Sequence, residues 1–169
     1  LNEERGSDPP IQSLHVSVVE TQNANFFLLD SLKETMVTQG NIGREQLNWL
    51  ARMLDMHSKK PAIIVTHHNP RLGGDPVHFP GGLIDSQELW NVLTKRPHVK
   101  AYLHGHIHDR GFAQHQGIHI INTLATSYVA DPQKSTTGWT SIQLSNSGAL
   151  LTSHTTDPKH AWNGKATRL

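Results

Sequence analysis

Apolar residues in the first third of the chain fall into two short runs and one helical stripe. Residues 13–20 and 24–30 each carry a compact apolar run and are separated by the turn-forming residues TQN, which predicts two neighbouring strands. Between residues 44 and 57 the apolar positions recur every three or four residues, a spacing typical of an amphipathic helix. The chain therefore begins as two strands followed by a helix.

Two largely apolar runs dominate the middle of the chain. AIIVT (62–66) is a continuous apolar run that predicts a strand, and VKAYL (99–103) predicts a second buried strand. The segment between them predicts a second helix at 85–96, where Asp85 and Glu88 have capping-box spacing. Because one crossover helix favours parallel strands, we expect the carboxyl ends of both strands at one edge of a sheet. Ligands bind at that edge in open α/β sheets.

The rest of the chain and its composition narrow the fold class. From residue 111 onward, short apolar segments separated by Gly, Asn, Asp and Ser predict a series of further strands. The 169 residues are enough for one domain with a core, and the mixture of strands and helices predicts an α/β fold.

The composition gives little support for several classes of partner. A net charge of +1 gives no electrostatic case for binding to nucleic acid or to an acidic membrane surface. With no cysteine, disulfides and thiolate metal sites are excluded, and no apolar run approaches the roughly 20 residues that span a bilayer.

Thirteen histidines are unusual in a chain of this length, and some of them follow the two buried runs. His67 comes directly after AIIVT, and His106 and His108 come just after VKAYL. Gly105 permits a sharp turn, and His106 and His108 would point the same way if the segment were extended. Since imidazole is the commonest metal ligand at neutral pH, we predict that His67, His106 and His108 bind metal. His104 precedes the glycine and is interpreted as the last residue of the strand, without a ligand role.

The residues after His67 are candidates for contact with substrate. His68 would point away from His67 in an extended segment, so it is interpreted as a substrate-side or structural residue. The loop that follows is rich in Gly and Pro, and long loops at strand ends often carry function. We assign substrate binding to His68, Asn69 and Arg71, the last because a guanidinium binds phosphate through its planar donors.

Three other metal families are tested and rejected on the sequence. A cupin would need a glutamate shortly after the His-x-His pair, a metallo-β-lactamase-type site would need a histidine after Asp109, and His-Glu-x-x-His is absent. The segments IIVTHHNP (63–70) and AYLHGHIH (101–108) resemble the calcineurin-like metallophosphoesterase family, whose closing motif is Gly-His-x-His. LLDSL followed by REQLNWLARML is similar to the connecting region of its phosphodiesterase-like branch, and the resemblance covers about residues 14–152.

The resemblance implies a four-layer α/β/β/α sandwich with a binuclear metal centre at the strand ends. In that family two ions lie about 3.5–4 Å apart and hydrolyse a phosphomonoester or phosphodiester. Carried over, His67 and His106 would bind the second metal and His108 the first. The implied cofactors are two divalent or trivalent ions of Mn, Fe or Zn, and the implied substrate is a small-molecule phosphoester.

The family's acidic and amide ligands are not found in order in this sequence. Its Asp-x-His, Gly-Asp and Gly-Asn-His-Asp/Glu motifs should precede His67, and the similar letters at 55–57, 74–75 and 40–42 are interpreted as coincidences. We therefore expect residues 1–169 to be the C-terminal part of a single metallophosphoesterase domain, with the N-terminal half as its partner and catalysis only when complete. Uncovered sheet surfaces in such a fragment would favour a homo-oligomer.

Two alternatives remain open at the level of sequence. The chain could be a truncated or degenerate domain that binds a metal or a partner without catalysis, or a small α/β domain whose histidines are incidental. Two equivalents of bound metal would favour the enzyme, and one or none would favour the binding domain. The chain has no initial Met and no signal-like segment, which leaves localisation undetermined.

Overall fold

Two β-sheets and two helices make up the part of the chain that the structure, a computed structural model, describes: residues 2–7, 11–72 and 81–169. The strands of the larger sheet are β1 (Asn2–Arg5), β2 (Ser17–Glu20), β3 (Asn25–Leu28), β4 (Ala62–Val65), β5 (Val99–His104), β6 (Gly111–His115) and β7 (Ile118–Asn122). Those of the smaller sheet are β8 (Gly138–Ser145), β9 (Gly148–Thr155) and β10 (Ala166–Arg168). The helices are α1 (Gly43–Met56) and α2 (Ser86–Leu93).

The larger sheet is mixed, with a parallel centre and antiparallel edges. Its order is β1-β2-β3-β4-β5-β7-β6, in which β3, β4, β5 and β7 run parallel. Strands β1 and β2 at one edge and β6 at the other pair antiparallel with their neighbours. The predicted parallel pairing of the two largely apolar runs is confirmed, with Ile64 opposite Tyr102 in register. Their carboxyl ends consequently lie together.

The two faces of the larger sheet are buried by different layers. Ile64 and Tyr102 face the helices and pack with Trp49 and Trp90 in one apolar cluster. On the opposite face, residues of the two sheets form a second cluster that includes Ile63, Leu103, Ile121 and Leu151. Because neighbouring residues of β4 enter opposite clusters, its sequence is a continuous apolar run. The described part of the chain is thus an α/β/β arrangement, which agrees with the predicted α/β class.

The predicted capping box at the start of α2 is wrong. Asp85 makes no side-chain hydrogen bond to its own helix, and its carboxylate instead accepts the backbone N–H groups of Ile42, at 3.0 Å, and Gly43, at 2.8 Å. Helix α1 begins after Ile42, whose apolar side chain cannot accept a hydrogen bond. The carboxylate of Asp85, the residue before α2, takes the place of a capping side chain at the start of α1. Of the helices in the described residues, none has the length and apolar character to cross a membrane.

Candidate metal centre

Three histidines meet at the edge where β4 and β5 end. His67 and His106 each lie two residues beyond their strand, and His67 Nε2 lies 3.2 Å from His106 Nδ1. His68 joins them, so that one nitrogen from each of the three rings lies within 4.8 Å of the other two. Among residues 2–7, 11–72 and 81–169, no other group of three or more His, Cys, Asp or Glu residues converges in this way.

The segment that carries His106 and His108 is a compact turn. Both residues have left-handed backbone angles, with φ of 53° and 55°, so the expected extended conformation is wrong. The Gly105 N–H donates to the His67 carbonyl at 3.1 Å, which ties the turn to the end of β4. Left-handed angles at residues other than glycine are uncommon, and they cluster at functional sites. The turn therefore depends on tertiary contacts, which the local sequence does not reveal.

His108 lies beside the three-histidine group but outside it. Its ring packs edge-on against Tyr128, with 4.0 Å between the ring centroids. Its Nδ1 is buried and has no hydrogen-bond partner within the described part of the chain. Tyr128 is 65 % exposed although it is a large aromatic residue, and it belongs to the loop that follows β7. The structure thus separates His108 from His106 while keeping both at one sheet edge.

His68 does not point away from its neighbour, in contrast to the expectation for an extended segment. Its ring centroid lies 4.9 Å from that of His67 and 4.5 Å from that of His106. The side chain is nevertheless only 5 % exposed, and its Nδ1 lies 2.8 Å from Ser31 Oγ. His68 is therefore part of the cluster and at the same time tied to the loop between β3 and α1. Sequence reasoning did not single out Ser31, because 37 residues separate it from its partner.

The electrostatic environment keeps the clustered imidazoles neutral. Burial, followed by the charges of the neighbouring histidines, lowers the pKa of His106 to about 4. Burial, followed by the charge of His108, lowers the pKa of His67. Burial and then the charge of His67 lower the pKa of His68, and a hydrogen bond to the Thr38 backbone partly opposes them. Metal ions bind the deprotonated imidazole, so this environment suits metal binding at neutral pH.

His104 is the last residue of β5, as predicted, and it takes no part in the three-histidine group. Its ring is buried and lies 6.0 Å from the ring of Tyr102. Burial lowers the pKa of His104 to about 4. Two histidines separated by one glycine therefore occupy different environments.

The residues assigned to substrate binding differ in exposure. Asn69 is 2 % exposed, and its Oδ1 has no hydrogen-bond partner in the described ranges. Arg71 is exposed, and its backbone N–H donates to Ser86 Oγ at 2.7 Å. Asn69 also borders a cavity of about 370 Å³ whose lining includes His104 but none of the three clustered histidines. Other residues that line this cavity are Leu72, His104, Asp109, Arg110 and Asn122.

The residues that match the family's acidic motifs in sequence are not placed at the histidine cluster in the described part of the chain. Asp55 forms an ion pair with Arg96 at 2.7 Å, and His57 lies 3.6 Å from a Glu4 carboxylate oxygen. Gly74 and Asp75 lie outside the described residues. Neither Asp55 nor His57 belongs to the converging histidine group. The described part of the cluster thus consists of imidazoles.

Related curated proteins bear the names of cyclic-nucleotide phosphodiesterases. The chain is 33 % identical over 114 residues to a 3',5'-cyclic-nucleotide phosphodiesterase from Nostoc sp., covering 68 % of this chain and 42 % of that protein. It is 31 % identical over 123 residues to the 3',5'-cyclic adenosine monophosphate phosphodiesterase CpdA of Escherichia coli, covering 69 % and 45 %. The chain thus spans about half the length of the curated relatives it matches. No family model matches the sequence.

Solved structures of similar fold include two phosphatases. A dimetal phosphatase from Danio rerio superposes with a TM-score of 0.68 and 16 % identity, over 88 % of this chain and 60 % of that chain. The purple acid phosphatase PPD1 of yellow lupin superposes with a TM-score of 0.56 and 14 % identity, over 91 % and 32 %. At these identities the likeness is one of fold.

Proposed function

The chain belongs to the calcineurin-like metallophosphoesterase family, and from this premise we propose that its histidines form one side of a metal centre that hydrolyses a phosphodiester. The observation that carries the proposal is the 3.2 Å distance between His67 Nε2 and His106 Nδ1. Two nitrogens that bind the same ion, each at about 2.0–2.1 Å, lie about 3 Å from one another. The distance between His67 Nε2 and His106 Nδ1 therefore fits a shared ion.

The proposed ligands are His67 and His106 on one ion and His108 on a second. The buried Nδ1 of His108, which has no partner in the described residues, supports a role for that ring. The lowered pKa values of His67 and His106 support neutral rings, the form of imidazole that binds metal. When bound, Mn, Fe or Zn ions would lower the pKa of a bound water and stabilise the charge that develops on the phosphoryl group.

Carboxylate ligands are proposed to come from outside these 169 residues. Two neighbouring cations need anionic ligands, whereas the converging group within the described ranges offers imidazoles alone. In this proposal residues 1–169 are the C-terminal part of one metallophosphoesterase domain. Catalysis would then require the N-terminal half.

The proposed substrate is a 3',5'-cyclic nucleotide, the substrate class in the names of the relatives. The exposed ring of Tyr128 beside His108 supports this class, because aromatic side chains stack on nucleobases. Arg71 is exposed on the loop after β4, where its guanidinium can reach a phosphate.

A second candidate function is metal or partner binding without catalysis. The imidazole-only character of the described cluster favours it, because three neutral ligands suffice for a single zinc-like ion.

Metal stoichiometry and hydrolysis together distinguish the two functions. The chain is joined to the N-terminal half of its own protein, and bound metal is counted by mass spectrometry of the native protein. Two equivalents of metal, with cyclic AMP hydrolysis that disappears on chelation, are the expected result. One equivalent or none, with no hydrolysis above a metal-only control, would establish the binding domain and contradict the enzyme.

A further inference from the structure

Every polar group of His68 is held by a neighbour. The backbone N–H donates to Ser31 Oγ at 3.4 Å, and the ring Nδ1 lies 2.8 Å from the same oxygen. The carbonyl accepts the hydroxyls of Thr66 and Tyr102, both at 2.8 Å. Three buried side chains thus fix the backbone immediately after His67, which is itself exposed.

The loop between β3 and α1 closes over the His68 ring. A Cβ atom placed on Gly40 would collide with His68 Cγ, so only glycine allows the backbone to approach so closely. The Asn41 N–H donates to the Ser31 carbonyl at 3.1 Å and holds the two ends of this loop together. The loop therefore covers one side of the His68 ring.

The contact with Ser31 favours one tautomer of the neutral His68 ring. Ser31 is 3 % exposed, so its hydroxyl needs an acceptor, and His68 Nδ1 is the acceptor in contact with it. A ring nitrogen that accepts a hydroxyl proton is unprotonated, which leaves the proton of the neutral ring on Nε2. Neither nitrogen then offers a free lone pair.

We propose that His68 is a positioning residue, fixed by Ser31, that directs His67 towards His106, and that it is not a metal ligand despite its place in the cluster. This inference rests on the proposed function, in which His67 and His106 share an ion. The fixed ring of His68 supports the turn from which His67 projects, so the 3.2 Å approach of His67 to His106 depends on Ser31. Partners that orient a ligand in this way typically contribute about 10- to 100-fold to metal affinity.

Nitrogen-15 NMR of the imidazole rings tests the protonation state directly. The metal-free chain is compared with the chain to which Zn²⁺ is added, and the His68 signals are assigned from their loss in His68→Gln. We expect His68 to show a protonated Nε2 in both samples, while the signals of His67 and His106 move on addition of Zn²⁺. A protonated Nδ1, or a His68 signal that moves with Zn²⁺ as a ligand does, would overturn the proposal.

Replacing Ser31 tests the positioning role. In Ser31→Ala we expect Zn²⁺ affinity, measured by calorimetry, to fall by about tenfold or more, and the two nitrogen signals of His68 to approach averaged values. Ser17→Ala is the matched control, since Ser17 is a buried serine on β2, and it should leave both quantities unchanged. Unchanged affinity and an unchanged tautomer in Ser31→Ala would overturn the proposal.

The experiments distinguish failure of the proposed metal centre from failure of the role proposed for His68. If the chain with native Ser31, joined to the proposed N-terminal half, bound no metal at His67 and His106, the proposed metal centre would be rejected. The tautomer of His68 in the metal-free chain, and its dependence on Ser31, would still decide whether Ser31 fixes the ring.

Discussion

His104 and His106 are separated by one glycine, yet they belong to different parts of the molecule. His104 is buried at the end of β5 against Tyr102, and His106 reaches the histidine cluster from a left-handed turn. We expect His106→Ala to weaken Zn²⁺ binding by about 100-fold or more, because it removes a ligand, and His104→Ala to change it little. Calorimetric titration of both variants measures the contrast. Equal losses would show that the assignment of roles within HGHIH is wrong.

The buried His104 makes stability depend on pH. Its pKa is lowered from 6.5 to about 4, so the unfolded chain takes up a proton before the folded chain does. The free energy of unfolding is therefore expected to hold above about pH 6.5 and to fall as the pH drops towards 4, by roughly 3 kcal/mol at most from this residue. Urea unfolding of the metal-free chain at several pH values measures it. His104→Gln should flatten the dependence, and parallel curves for the two proteins would contradict the assignment.

At the scale of elements, the start of α1 is capped by Asp85, the residue that precedes α2. The Asp85 carboxylate accepts two backbone N–H groups at the start of α1, where the helix has no capping side chain of its own. Asp85→Ala should lower the free energy of unfolding by about 1 kcal/mol, the usual contribution of an N-cap. Glu88→Ala is the control, because Glu88 lies in the first turn of α2 and the predicted capping box is not formed. If both variants lost the same stability in urea unfolding, the contact to α1 would not be the cause.

Elements with a local signal were predictable from the sequence. Helix α1 and the parallel pair β4 and β5 follow from periodicity and from largely apolar runs, both of which are properties of neighbouring residues. Strand β1 was not predictable, because all four of its residues are exposed and show no alternation. Its pairing with β2 follows from contact with a more distant part of the chain.

The sequence predicted which strand ends carry the candidate site, but not how the side chains are arranged there. That His67 and His106 would meet follows from parallel strands that end at one edge. The placement of the His68 ring depends on Ser31, and the two left-handed positions after Gly105 are occupied by His106 and His108, not by the Gly or Asn that usually signals such angles. Both features are set by tertiary contacts.

The packing between the two sheets is incomplete at the scale of the whole molecule. A cavity of about 340 Å³ lies between them, bordered by residues such as Ile63, Leu103, Ile142 and Leu144. Strand β8 forms one edge of the smaller sheet, and within the described residues its strand partner is β9. This cavity is partly open to solvent and mostly apolar, and an unpaired edge of eight residues can pair with another chain.

We therefore expect the 169-residue chain by itself to self-associate. Light scattering after gel filtration should give a mass above 18.8 kDa at micromolar concentration. Gln143→Lys adds a charge to an exposed position of β8 and should shift the population towards monomer, because charged side chains disfavour edge pairing. Gln133→Lys makes the same change at an exposed position outside the strands and should leave the mass unchanged. A monodisperse monomer that melts cooperatively would contradict this expectation, since it would show that the two sheets are stable without a further partner.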